Sequence, residues 1–116
     1  MTLREITEIL KATVITDGVD PEMEIKSACS ADMMSAVLYY HTPDSLLITS
    51  LAQPQVIRTA EIAGIKCIVF VLGKKPDANI IELAAQKKVP LLSTEYCMYT
   101  ASGKLFEAGL PGCLRK

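Results

Sequence analysis

The chain has 116 residues, of which 50% are apolar, and its formal net charge is −1 at pH 7. This length and apolar content suffice for one domain with its own core, and the scattered Lys and Arg residues do not form the basic stripe that nucleic-acid binding requires. No apolar run approaches the ~20 residues needed to cross a bilayer, so we expect a cytoplasmic protein that does not contact membranes.

Strand-like and helix-like patterns alternate along the chain. Thr2 and Glu5 have the spacing of a capping box, which predicts a first helix, and the β-branched run at 12–16 predicts the first strand. Later strands are predicted where apolar runs are continuous, and later helices where apolar residues recur every three or four positions. The later strands are predicted at 25–29, 46–49, 68–72 and from 90, and the later helices are predicted to begin after Ser30, at Pro54, after Asp77 and after Thr94.

This alternation with short connections is typical of a right-handed parallel sheet. We therefore predict an α/β fold with three layers, in which a mostly parallel sheet of about five strands carries helices on both faces. One domain is predicted over residues 1–108, and the Gly- and Pro-containing residues 109–116 are predicted to form a flexible C-terminal tail.

Polar or small residues follow several predicted strands. Ligands bind outside the carboxyl edge of parallel sheets, and hydroxyls beside helix N-termini can hold an anion there, although such residues also simply cap helices. We expect Asp17, Thr49 and Thr94 to meet at one rim. The candidate ligand-binding residues are Asp17, Thr49, Ser50, Gln53, Gly73, Lys74 and Thr94.

The sequence predicts no catalytic group and no metal site. Asp17 has no second acid or histidine near it in sequence and suits a turn before Gly18, and the single histidine, His41, suits a surface position after a helix. Neither a P-loop nor a Gly-x-Gly-x-x-Gly turn occurs, which argues against a P-loop kinase and a dinucleotide-binding Rossmann enzyme. We expect a protein that is not an enzyme and holds no cofactor.

The cysteines are widely spaced, and none belongs to a Cys-x-x-Cys pair, so we expect reduced thiols. Cys67 falls in a predicted strand and Cys97 in a predicted helix, where burial is expected. Cys113 falls in the predicted tail and is expected to be accessible.

In their order and wording, these segments resemble the DRTGG domain family. The resemblance rests on residues 14–18, 30–35, 46–49, 63–69, 73–76 and 89–94. It implies a small α/β domain similar to the amino-terminal domain of HPr kinase/phosphorylase, which occurs beside CBS domains and in phosphotransacetylases as a regulatory or dimerising accessory. Free-standing members resemble small proteins encoded near iron-only hydrogenase systems, which implies a sensory or assembly role. After Thr49, many relatives carry an Asp-Arg stretch where this chain reads Ser50-Leu51-Ala52.

Three functional hypotheses follow. The first is a non-catalytic regulatory module that forms a homodimer through an apolar face and serves a metabolic or hydrogenase system. The alternative is a sensor that binds a nucleotide or a phosphorylated metabolite at the carboxyl edge of the strands, at Thr49, Ser50 and Thr94. The third is a phosphoryl-transfer enzyme with Asp17 as base, for which charge-neutralising groups are not found.

Overall fold

The computed structural model describes residues 1–40 and 42–113, so His41 and its expected surface position, and residues 114–116 of the predicted tail, lie outside the described residues. Within that part, the chain forms five strands and five helices. The strands are β1 (Thr13–Val14), β2 (Ser27–Ser30), β3 (Ser45–Thr49), β4 (Cys67–Phe70) and β5 (Leu91–Ser93). The helices are α1 (Leu3–Ile9), α2 (Met34–Tyr40), α3 (Pro54–Ala63), α4 (Ala78–Lys87) and α5 (Met98–Glu107).

The strands form one sheet in the order β1-β5-β4-β3-β2. Strands β2, β3, β4 and β5 are parallel, whereas β1 runs antiparallel to β5, with Thr13 opposite Ser93 and Val14 opposite Leu92. The predicted α/β class, with a mostly parallel sheet of about five strands, is confirmed.

Two hydrophobic clusters cover the two faces of the sheet. One joins Ile6 of α1 and Leu105 of α5 to the sheet, and the other joins Ala60 of α3 and Ile80 of α4 to the opposite face. Every residue of β3, β4 and β5 is buried, which explains why these strands appear in the sequence as apolar runs without alternation. None of the helices in the described part of the chain has the length and apolar character to span a membrane.

Helix ends follow the sequence signals in part. The capping box of Thr2 and Glu5 is present at α1, and Asp77 caps α4 by accepting a hydrogen bond from the backbone N–H of Ile80. The helices predicted to begin directly after Ser30 and Thr94 begin later, at Met34 and Met98, so neither residue caps a helix.

The segment 109–113 packs along the outer edge of β2. Leu110 is 3% exposed and belongs to the core, and the carbonyl of Pro111 accepts a hydrogen bond from the N–H of Ala28 at 2.9 Å. Residues 109–113 were predicted to be a flexible tail. They are held instead because Leu110 fills the core and the edge of β2 offers unpaired backbone groups.

Candidate functional site

The carboxyl ends of the parallel strands lie along one edge of the sheet, and we call the surface outside this edge the strand-end crevice. Its described polar residues follow β2, β3, β4 and β5 in turn: Asp32, Ser50, Lys74 and Glu95. These residues lie near one another because four parallel strands end at the same edge of the sheet.

Asp32 is the most highly connected of these residues. Its carboxylate accepts hydrogen bonds from the Thr49 hydroxyl at 2.9 Å and from the Ser50 N–H and hydroxyl, both at 2.7 Å. Burial raises the pKa of Asp32, but the hydrogen bonds from Ser50 and Thr49 and the charge of Lys74 outweigh it and hold the pKa below its ordinary value. Asp32 is therefore ionised and joins the end of β2 to the end of β3. Asp32 was not among the residues predicted from the sequence, although it lies in the segment after β2 that carries the family resemblance.

The loop after β4 is a tight turn with two consecutive left-handed residues. Leu72 has φ +60° and Gly73 has φ +66°, and the N–H of Lys74 donates to the carbonyl of Val71 at 3.1 Å. A Cβ on Gly73 would lie 2.7 Å from a carboxylate oxygen of Glu95, so another residue there would displace that side chain. The predicted candidates Gly73 and Lys74 thus lie at the crevice, next to the loop after β5.

The two predicted threonines are occupied by internal hydrogen bonds. Thr94 is 1% exposed, and its hydroxyl donates to the carbonyl of Leu10 at 2.7 Å. Thr49 is fully buried and donates to Asp32. Their hydroxyls hold loops together and do not open into the crevice, whereas the side chains of Gln53 and Lys74 are exposed.

The expectation that Asp17 meets Thr49 and Thr94 at one rim is wrong. Because β1 is antiparallel, it ends at the opposite edge of the sheet, where the N–H of Ile15 donates to the carbonyl of Leu91 at 2.8 Å. Asp17 therefore lies in a depression with Pro90, at the start of β5. Across residues 1–40 and 42–113, no three His, Cys, Asp or Glu side chains are grouped so as to hold a metal ion.

A groove of about 630 Å³ lies between α5 and the C-terminal segment, and we call it the α5 groove. Tyr99 and Phe106, which are 88% and 70% exposed, stand on its helix side with Gly103 between them, and Pro111 stands on the other side. The Ser30 and Ser102 hydroxyls share a hydrogen bond of 2.6 Å across it. This groove was not predicted from the sequence, although Tyr99 and Phe106 fall outside the buried stripe of α5 at a spacing of two turns.

The described cysteines differ in environment. Cys67 is fully buried in β4, as predicted, and burial raises the pKa of its thiol well above the ordinary range. The expected burial of Cys97 is wrong, because this residue precedes α5 as its exposed N-cap. Hydrogen bonds with Thr100 lower the pKa of the Cys97 thiol.

The DRTGG domain family model matches residues 5–108 of the chain. No curated protein matches the chain in sequence. Among solved structures, it is similar to the CBS and DRTGG domains of the regulatory region of a Clostridium perfringens pyrophosphatase complexed with the activator diadenosine tetraphosphate, with a TM-score of 0.74 and 19% identity. That similarity covers 95% of this chain but 47% of the other, so the two share a fold and this chain spans less than half of that protein's length.

Proposed function

We propose, from the premise that this chain belongs to the DRTGG domain family, that it is a non-catalytic regulatory module that works as a homodimer in the cytoplasm. The observation that carries this proposal is the pair of exposed aromatic rings on α5, Tyr99 and Phe106, beside the α5 groove. Large apolar side chains that cluster at a groove on the surface of a small domain are typical of a protein-binding site.

The arrangement on α5 is self-complementary. In an antiparallel pair of α5 helices related by a two-fold axis between Ser102 and Gly103, Tyr99 of each copy faces Phe106 of the other. Gly103 has open space where a Cβ would stand, so the two helices are able to approach closely at the axis. The same patch then serves both copies, as a symmetric dimer requires.

The apolar area that the aromatic rings of α5 would bury is consistent with a dimer of modest affinity. Each aromatic ring contributes roughly 150–250 Å² when buried, so the four rings of a dimer supply about 600–1,000 Å². A stable interface buries about 1,200 Å² or more in total, and the remainder comes from the walls of the groove, including Pro111. We therefore expect a dimer that dissociates on dilution in the micromolar range.

Sedimentation velocity from about 1 to 100 µM tests the proposal, a range chosen to span ordinary weak interfaces. The wild-type chain should shift from monomer to dimer, and the double variant Tyr99→Ser/Phe106→Ser should stay monomeric. Ile62→Ser is the matched control, since Ile62 is 74% exposed on α3, which covers the other face of the sheet. A wild-type monomer throughout, or equal loss of dimer in the control, would sink the proposal.

A second candidate function is sensing of a nucleotide or a phosphorylated metabolite at the strand-end crevice. The neighbouring structure with diadenosine tetraphosphate favours a nucleotide, and Lys74 supplies a cation at the crevice. The carboxylates of Asp32 and Glu95 repel phosphate from the rest of the crevice, so we place this candidate behind dimerisation.

Thermal shift with diadenosine tetraphosphate, ATP and a sugar phosphate tests the sensor, because a ligand of the native state raises Tm. A rise that Lys74→Ala abolishes and Asp17→Asn preserves would support it, since Asp17 lies at the opposite edge. No rise with any of these ligands, or a rise unaffected by Lys74→Ala, counts against this site.

We also propose a protein partner in a metabolic or hydrogenase system, which the resemblance to free-standing family members suggests. We assign this partner to the α5 groove, where it would displace the second copy of the chain. Affinity capture from a cell that carries such a system should recover a partner with the wild-type chain and lose it with Tyr99→Ser/Phe106→Ser. Equal recovery by both proteins argues that the partner binds elsewhere.

A further inference from the structure

Two cysteines that are far apart in the sequence lie side by side at the edge of the sheet. Gly112 pairs with Ala28 in a parallel bridge, so the residues that follow, Cys113 and Cys29, stand next to each other across the same edge. The thiol of Cys113 donates to the carbonyl of Ala28 at 3.5 Å, and it lies close enough to Cys29 to raise the pKa of that thiol. Both line one shallow depression beside α2.

We propose that Cys29 and Cys113 form a reversible disulfide that fastens the C-terminal segment to strand β2. Residues directly opposite each other on neighbouring strands are about 4.7–4.9 Å apart, which falls within the Cα separation that a disulfide needs. The spacing of neighbouring strands therefore suits a disulfide between these two residues.

The environment of Cys29 sets the order of the reaction. Burial, together with the nearby charge of Cys113, raises the pKa of Cys29 to about 12. Cys29 is therefore protonated at neutral pH and does not begin an attack on an oxidant. Cys113 lies on the segment outside β2 and makes that first attack.

A small-molecule disulfide such as oxidised glutathione supplies the oxidising equivalents. The Cys113 thiolate attacks one sulfur of oxidised glutathione, and the first glutathione leaves as a thiolate that takes up the Cys113 proton. Cys29 then gives up its proton, its thiolate attacks the Cys113 sulfur, and the second glutathione leaves as a thiolate that takes up a proton. Two protein thiols lose two electrons, and one glutathione disulfide becomes two glutathione thiols.

The bridge would fix one side of the α5 groove, because Leu110, Pro111 and Gly112 belong to the same segment and line that groove. It would also close a loop that runs from β2 nearly to the end of the chain, which restricts the unfolded state. The proposal does not depend on dimerisation, since the bridge is detected directly and in the monomer.

The test equilibrates the full chain in glutathione buffers from fully reduced to fully oxidised, followed by alkylation and peptide mass spectrometry. We expect a bridged peptide that contains Cys29 and Cys113, a mass lower by about 2 Da for the lost hydrogens, and a rise in Tm of roughly 5–15 °C. Cys113→Ser and Cys29→Ser should each abolish all three changes. The control Cys97→Ser should retain them, since Cys97 is exposed at the start of α5.

Four free thiols across the whole series would overturn the proposal. A mixed disulfide with glutathione at Cys113 that Cys29 does not resolve, or an intermolecular bridge in place of the internal one, would overturn it as well. Two separate serine variants are used so that misfolding of one does not decide the result. Cys113→Ser changes only the segment outside the sheet.

Discussion

The hydroxyl of Thr94 donates a 2.7 Å hydrogen bond to the carbonyl of Leu10 and joins two residues that lie 84 positions apart. Leu10 is the C-cap of α1, where backbone carbonyls have no partner inside the helix. Thr94 directly follows β5, so this single bond fixes the end of α1 to the end of a central strand.

Thr94→Val should lower the free energy of unfolding by about 1–2 kcal/mol, because valine keeps the shape of threonine and leaves the buried carbonyl of Leu10 unpaired. Urea unfolding at pH 7 measures the change. Thr13→Val is the control at the exposed strand β1 and should change stability by less than about 0.5 kcal/mol. Equal effects at both positions would contradict the role of the bond.

Leu72→Gly should stabilise the chain by about 0.5–1 kcal/mol. A leucine at φ +60° carries a steric cost that glycine does not, and the 56% exposure of Leu72 limits the contacts that are lost. Gly73→Ala at φ +66° should destabilise by about 1 kcal/mol for the converse reason. Thermal unfolding of both variants measures these changes in stability. A loss of stability in Leu72→Gly would refute the steric cost assigned to Leu72.

Asp32 should make stability depend on pH in acid. Its pKa is lower in the folded chain than the ordinary value of about 3.9, so the folded state binds fewer protons than the unfolded state. This contribution is complete above about pH 5 and is lost as the pH falls through about 4 and below. Urea unfolding from pH 7 to pH 3 should show a shallower acid loss for Asp32→Asn than for the wild type.

Ser50→Ala removes one of the donors to Asp32 and should give an intermediate acid slope. An unchanged slope in Asp32→Asn would mean that other groups govern the acid transition.

Two glycines should respond to alanine with opposite signs. Gly64 ends α3 at φ +71°, so Gly64→Ala should cost about 1 kcal/mol although the space around it is open. Gly103 lies inside α5 with equally open space, so Gly103→Ala should gain about 1 kcal/mol. Unfolding at submicromolar concentration, where the proposed dimer is dissociated, measures both, and changes of the same sign would contradict the argument.

The sequence was informative where burial leaves a local pattern. Strands β3 and β4 are covered on both faces, and that burial requires apolar runs that are visible without a structure. The direction of β1 was not accessible, because two paired residues carry no signal for a parallel or an antiparallel partner. The predicted position of Asp17 at the rim with Thr49 and Thr94 is wrong only because the direction of β1 was not predicted.

Polar residues next to strands were ambiguous for a different reason. Thr94 has the chemistry of a helix cap, but its hydroxyl bonds to Leu10, a partner from a distant part of the chain. Asp32 binds Thr49 and Ser50 across two strand ends in the same way. Hydrogen bonds over such separations depend on the tertiary fold, so no local pattern in the sequence specifies them.

The pairing of β1 with the distant strand β5 has a consequence for synthesis on the ribosome. Thr16, which follows it, accepts a hydrogen bond from the N–H of Leu91, a residue 75 positions later. At translation rates of about 5–20 residues per second, the nascent β1 waits roughly 4–15 s for its neighbour β5 to emerge. Strand β1 is thus made well before its partner and is among the last strands to dock, and a chaperone that shields nascent segments has a long opportunity to bind it.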